Sequence, residues 1–373
     1  MNRKTTISLG IGIALSLPAL YLAFRNVPMG ALLVYMGNIN YLWIIPAVIT
    51  VMLGFIARVM RWQIILGASH RIGFWAAYHP LMIGFATNCI LPGRIGEIAR
   101  PMILQRREKV PFTTGLATVA AERLFDIVML VIFFAVVLSL VDIDPEIRYS
   151  FGAYTLNRDT LIMIGSSMVK LSLVLIAGVV MVSLARTRGL IVTVIRALPQ
   201  TMSFAGARWT DAVSRRVAAP LVSVVENVAA GFVTVKHPKN LAACLGLSFM
   251  VWGLAAVSYY FVAKGSPGIA LGLGELSAIM IIVSFFIALP SVPGFWGIWE
   301  AGGVFALSLF AVPAKEAAGY TLVNHAVQMF PVIFAGLVSA LITGISIRQV
   351  AASVDAPPAA PGVATPPSDG YGC

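Results

Sequence analysis

Charge is scarce in this sequence. Only 11% of its 373 residues are charged, against 59% hydrophobic and a mean hydropathy of +0.91, which excludes a string of soluble domains. Cysteine is nearly missing too: Cys89, Cys244 and Cys373 stand far apart, so neither a disulfide framework nor a paired-cysteine metal site is indicated. Cys89 and Cys244 read as small apolar residues. The sequence also lacks metal-ligand spacing, a nucleophile elbow, a GxxxxGK[ST] loop and a GxGxxG turn opening a helix. No catalytic residue, no metal and no cofactor is therefore expected. Acidic residues are the scarcer sign, 15 against 26 basic, leaving a net charge of +11. In so apolar a chain that excess reads as cytoplasmic loops touching anionic lipid. No basic stripe is interleaved with stacking aromatics, so no nucleic-acid partner is expected.

The charge that is present is concentrated. Ten of the thirty-nine residues from Asn88 to Asp126 are charged, and ionisable groups beside a hydrophobic run mark a functional site unless the stretch is a plain cytoplasmic loop. Asn88, Pro92, Gly93 and Gly96 break the apolar run into a loop and a new helix. That helix carries Arg94, Glu97 and Arg100 at i, i+3 and i+6 on one face. Further on, Glu122 and Asp126 are i, i+4 on the helix expected over Phe112 to Val141. Two carboxylates on one face repel unless a cation lies between them, and the arginines of the preceding segment are the expected partners. Arginine grips phosphate bidentately, so Arg94 or Arg100 is a candidate for a lipid headgroup, assisted by unpaired N–H groups at the helix start after Pro92 and Gly93.

In chain order, Thr6 to Phe24 is long enough to cross a bilayer, and Tyr41 to Ile56 forms a second span running into Arg58, Arg61 and Arg71. Arg58 and Arg61 read either as snorkelling at a helix end or as a lipid-phosphate contact. Ile72 to Leu91 has basic residues on both flanks, which favours a re-entrant segment over a crossing, with a cavity beside its irregular backbone. The stretch 142–159 suits an external loop, and Leu161 to Leu184 a returning span. The basic stretch 186–239 is expected to be cytoplasmic; in it Val213, Val217, Leu221 and Val224 recur at the spacing of an amphipathic helix or a plain connector. Spans over Leu241 to Val262 and Leu271 to Leu289 precede a second break with Pro293, Gly294, Gly297 and Glu300. Two broken segments of like kind point to a binding site where they meet. Thr321 to Ile345 is the last long apolar run, and His325 within it reads as an interhelical hydrogen bond or a proton carrier. The Ala/Pro/Gly-rich residues 347–373 are expected to be disordered.

The ordered motifs L-P-G-R-I-G-E-I-A-R after Asn88, A-T-V-A-A-E-R-L-F-D and P-S-V-P-G-F-W-G-I-W-E together resemble the lysylphosphatidylglycerol synthase transmembrane region, a flippase-like family. The resemblance covers about residues 5 to 346. The composition and the order of apolar runs and breaks read as an all-α integral membrane bundle of about six to eight membrane segments, two of them broken, in a bacterial inner membrane. The resemblance implies handling of an anionic phospholipid or isoprenoid-linked lipid. By position it implicates Asn88, Arg94, Glu97, Arg100, Glu122, Arg123, Asp126, Pro293, Gly294 and Glu300. Residues 1–346 would be the flippase-like domain. The aminoacyl-transfer domain of the full synthases is not expected. The leading function is lipid translocation. The alternatives are an accessory subunit presenting lipid to a separate lipid-modifying enzyme, and a lipid-headgroup enzyme using Glu122 and Asp126.

Overall fold

The computed structural model describes residues 3–140 except Asn26, residues 237–347, and between them mainly a strand pair, one helix and one π-turn. The expectations for residues 142–148 of the external loop and for 348–373 of the tail lie outside the described residues, as does most of Leu161 to Leu184. Val224 lies outside them too, whereas Val217 is exposed within the π-turn Ser214–Ala218 and Leu221 is exposed just after it.

The protein is an all-α bundle. Its helices are α1 Arg3–Phe24, α2 Met29–Gly37, α3 Ile44–Leu66, α4 Phe74–Ile90, α5 Gly96–Glu108, α6 Phe112–Leu140, α7 Ala185–Thr201, α8 Pro238–Gly265, α9 Leu273–Phe286, α10 Ile298–Ser308 and α11 Ala314–Thr343. A two-stranded antiparallel hairpin, β1 Tyr149–Phe151 with β2 Tyr154–Leu156, is the sheet among the described residues. Three segments, Tyr41–Leu66, Pro238–Gly265 and Ala314–Thr343, are long and apolar enough to cross a membrane. Leu9–Phe24 of α1 and α2 Met29–Gly37 meet at a bend of 77° and together are apolar and long enough to be either one broken span or a re-entrant loop.

Small residues set the helix spacing, as is usual where lipid supplies no hydrophobic drive between helices. Helices α3 and α8 run antiparallel. Gly54 faces Leu254 and Val251, while Ser258 donates to the carbonyl of Ala47 at 3.1 Å. Gly336 of α11 lies against Ala86 and Met82 of α4. Between α4 and α5 the approach is closest of all. A methyl group at Gly96 would collide with the Gly84 carbonyl and lie 2.6 Å from Asn88 Oδ1. Because Gly84 also meets Arg100 while Asn88 meets Gly96, the two helices fold back antiparallel. Their outer ends, near Arg71 and Arg106, therefore emerge at the same end of the hairpin, which is the re-entrant geometry expected from the flanking charges. The second break makes a similar fold-back, with Gly302 of α10 packed on Phe286 of α9.

Two expectations are corrected. The second span does not end at Ile56: α3 continues to Leu66, so Arg58 and Arg61 lie within a helix, and Arg61 is completely buried. Snorkelling is thereby ruled out for Arg61. The apolar helix at Met29–Gly37 was not anticipated, because nine residues are too few to read as a span.

Candidate functional site

The two breaks meet. Gly93 and Arg94 both take positive φ, at 82° and 53°, and the turn they make carries Arg94 across to the other break, where Nη2 donates to the carbonyl of Ile287 at 2.6 Å. A non-glycine residue in that region of backbone space costs energy and is kept where the surroundings impose it. Asn88, Leu91, Gly93, Arg94, Leu289, Pro290 and Ser291 are among the residues around a small cavity of about 250 Å³ at this junction. The second break is fixed from within. Gly297, at φ 85°, lies against the Ser16 carbonyl of α1, and Glu300 Oε2 accepts from its N–H at 2.6 Å.

His325 of α11 reaches into the same turn. Nε2 is 2.8 Å from the carbonyl of Gly294, and Nδ1 is 2.6 Å from Glu300 Oε1. A carbonyl only accepts, so Nε2 carries a hydrogen. Nδ1 and the carboxyl oxygen then share one further proton, held either as imidazolium with carboxylate or as imidazole with carboxylic acid. In both forms the pair has no net charge. Both side chains are completely buried, and Trp299 stacks on the imidazole with centroids 4.5 Å apart. The sequence named His325, Gly294 and Glu300 separately, and the fold makes them one unit. Pro293 opens the 3₁₀ turn that presents the Gly294 carbonyl.

The charged residues of α3, α5 and α6 form a second unit. Glu122 receives Arg100 Nη2 at 2.6 Å, Arg123 Nη2 at 3.3 Å and Arg61 Nη2 at 3.4 Å. Asp126 receives Arg61 at 2.8 Å and both Arg58 and Arg123 at 3.4 Å. The expected cation between the carboxylates is present, but the α3 arginines, missing from the sequence argument, supply much of it. Arg61 Nη1 also donates to Ser248 of α8 at 2.7 Å, and Arg100 lies 4.3 Å above the Trp62 ring. Phe85 of α4 is a shared platform, 5.6 Å from Arg58 and Arg100 and 5.9 Å from Arg123. Phe85 is not singled out in the sequence; its spacing to Asn88, one helical turn, is the signal that sets this ring beside the named site.

A cavity of about 560 Å³ connects the two units. Arg58, Asn88, Arg94, Glu97, Arg123, Asp126 and His325 reach its wall; Arg61, Arg100 and Glu122 stand behind it. The remaining wall is mainly apolar and aromatic, with Phe55, Phe85, Leu130, Val251, Trp252 and Val332. One expectation fails here. The first N–H groups of α5 are not vacant: Gly96 donates to Asn88 Oδ1 at 2.7 Å, Glu97 to Arg94, and Ile98 and Ala99 to Ile95. The helix start is self-capped, and any anion must be met by side chains. Among the described residues no cluster of His, Cys, Asp and Glu is arranged to hold a metal ion.

A bundle of apolar helices enclosing an arginine-bearing cavity beside two broken hairpins is the architecture of an integral membrane protein. The chain belongs to the lysylphosphatidylglycerol synthase transmembrane-region family, whose model matches residues 9–336. It is also similar to Glycosyltransferase AglD of Haloferax volcanii, 24% identical over 369 residues. That alignment takes in 93% of this chain and 56% of the relative, so the chain spans little more than half of the relative's length. No solved structure matches.

Proposed function

We propose that the protein translocates a membrane lipid between leaflets of a bacterial cytoplasmic membrane, with the anionic headgroup entering the cavity between the two breaks. One observation carries this reading: Arg58, Arg94 and Arg123 outnumber Glu97 and Asp126 on a wall whose remainder is largely apolar, in a cavity large enough for a headgroup. Arginine in such a place keeps its charge and offers a planar fork for phosphate. Arg61 and Arg100, paired behind the wall, hold Glu122 and Asp126 in position. The apolar remainder of the wall suits the first methylenes of the tails. Purified protein in sealed vesicles should speed the exchange of fluorescent phosphatidylglycerol between leaflets over protein-free vesicles, and equal rates would overturn the reading.

A second reading, presentation of the lipid to a separate transferase, is favoured by the similarity to a glycosyltransferase of Haloferax volcanii. It predicts lipid binding without exchange, and turnover only when the partner enzyme is added.

A further inference from the structure

The charges around the cavity do not cancel. Arg58, Arg94 and Arg123 on the wall and Arg61 and Arg100 behind it give five positive charges. Glu97, Glu122 and Asp126 give three negative ones, and the Glu300–His325 pair contributes none because it holds a single shared proton. Two positive charges are left over. Guanidinium groups do not shed their protons in proteins, and protonating a carboxylate would only enlarge the surplus. Arg94 is exposed and the Arg123 side chain is 36% exposed, so the surplus faces the open cavity, where the charge of a ligand can meet it.

Resting on the reading above, we propose that the cavity is built for a lipid whose headgroup ends in a phosphomonoester, with two negative charges on one phosphorus centre, rather than for a phosphodiester or a zwitterion. The wall geometry supports this. Arg58 and Arg123 both lean 3.4 Å from the same Asp126 oxygen, so they converge on one point from α3 and α6. Arg94 lines the same cavity from the first break, where its contact is to the Ile287 carbonyl, and it has no carboxylate partner within salt-bridge distance among the described residues. A phosphodiester would neutralise one of the two surplus charges and leave the other. A terminal phosphate, with three free oxygens and a second ionisation near about pH 6, neutralises both at about pH 8.

The test is calorimetric binding of matched short-chain lipids to the full chain in detergent at about pH 8: phosphatidate, phosphatidylglycerol and phosphatidylcholine, with sn-glycerol 3-phosphate as the tail-free control. Phosphatidate should bind at least about tenfold more tightly than phosphatidylglycerol, about 1.4 kcal/mol. Phosphatidylcholine should be weaker still, and glycerol 3-phosphate far weaker than phosphatidate. Arg94→Gln removes one surplus charge without touching the buried ion cluster, so it should shrink the preference for phosphatidate over phosphatidylglycerol to a few-fold. Equal affinity for phosphatidate and phosphatidylglycerol, or a full preference kept by a folded Arg94→Gln variant, would overturn the charge argument and leave the lipid-cavity reading standing. Glycerol 3-phosphate binding as tightly as phosphatidate, or no lipid binding at all, would overturn both.

Discussion

Asp126 is the side chain on which the site depends most. It accepts from three guanidinium groups on two helices, and it is buried. Removing one partner of a buried ionic set strands the others at about 3–5 kcal/mol, so Asp126→Asn should lower the melting temperature and folded yield of the purified protein along with any activity. Unchanged thermal stability with lost activity would instead give the carboxylate a direct role. The Glu300–His325 contact yields a sharper comparison. An amide at residue 300 still accepts from the Gly297 N–H and offers an N–H to a neutral His325, so Glu300→Gln should be tolerated. His325→Ala leaves Glu300 Oε1 and the Gly294 carbonyl without their partner, at about 1–3 kcal/mol for each group. Thermal unfolding of the two variants measures the difference, and equal losses would contradict the one-proton assignment. At this scale the sequence was informative about which residues carry charge and poor on which meet. Glu122 and Asp126 announced a need for cations, yet Arg58 and Arg61 lie a whole domain segment away, and no local pattern records that α3 packs on α6.

The two hairpins are the elements that shape the cavity. Their breaks were legible because Pro92, Gly93, Pro293 and Gly294 interrupt apolar runs, and the basic flanks of Ile72 to Leu91 signalled a fold-back. What could not be read was the tightness of the turn-back, which is set by Gly84 and Gly96 meeting backbone to backbone. Gly96→Ala should therefore wedge α4 from α5 and destabilise the protein by about 1–3 kcal/mol, the usual cost of overpacking, measurable as a lowered unfolding midpoint. The same control at Gly246, where an added methyl meets nothing, should be close to neutral. Cysteines introduced singly as Arg71→Cys and Arg106→Cys should be labelled from one side of sealed membranes. Labelling from opposite sides would mean that the first hairpin crosses.

At the scale of the whole molecule, composition together with long unbroken apolar runs indicates the class: an 11% charged, 59% hydrophobic chain with such runs satisfies its backbone as apolar helices. The order of helices followed from the apolar runs. Their mutual packing did not, because lipid-exposed and helix-exposed apolar faces look alike in sequence; Val251 lines the cavity while Phe249 and Met250 beside it are exposed. The cavity is accordingly a property of the assembled bundle, contributed by α3, α4, α5, α6, α8 and α11 together with the second break. The claim that this cavity receives an anionic headgroup is tested most directly by leaflet exchange of fluorescent phosphatidylglycerol in vesicles bearing either the native protein or the Arg94→Lys variant. Lysine keeps the charge but loses the planar fork. The native protein should exceed protein-free vesicles and Arg94→Lys, at equal folded amount, should fall well below it; native-level exchange by the variant, or none by either protein, would contradict the account.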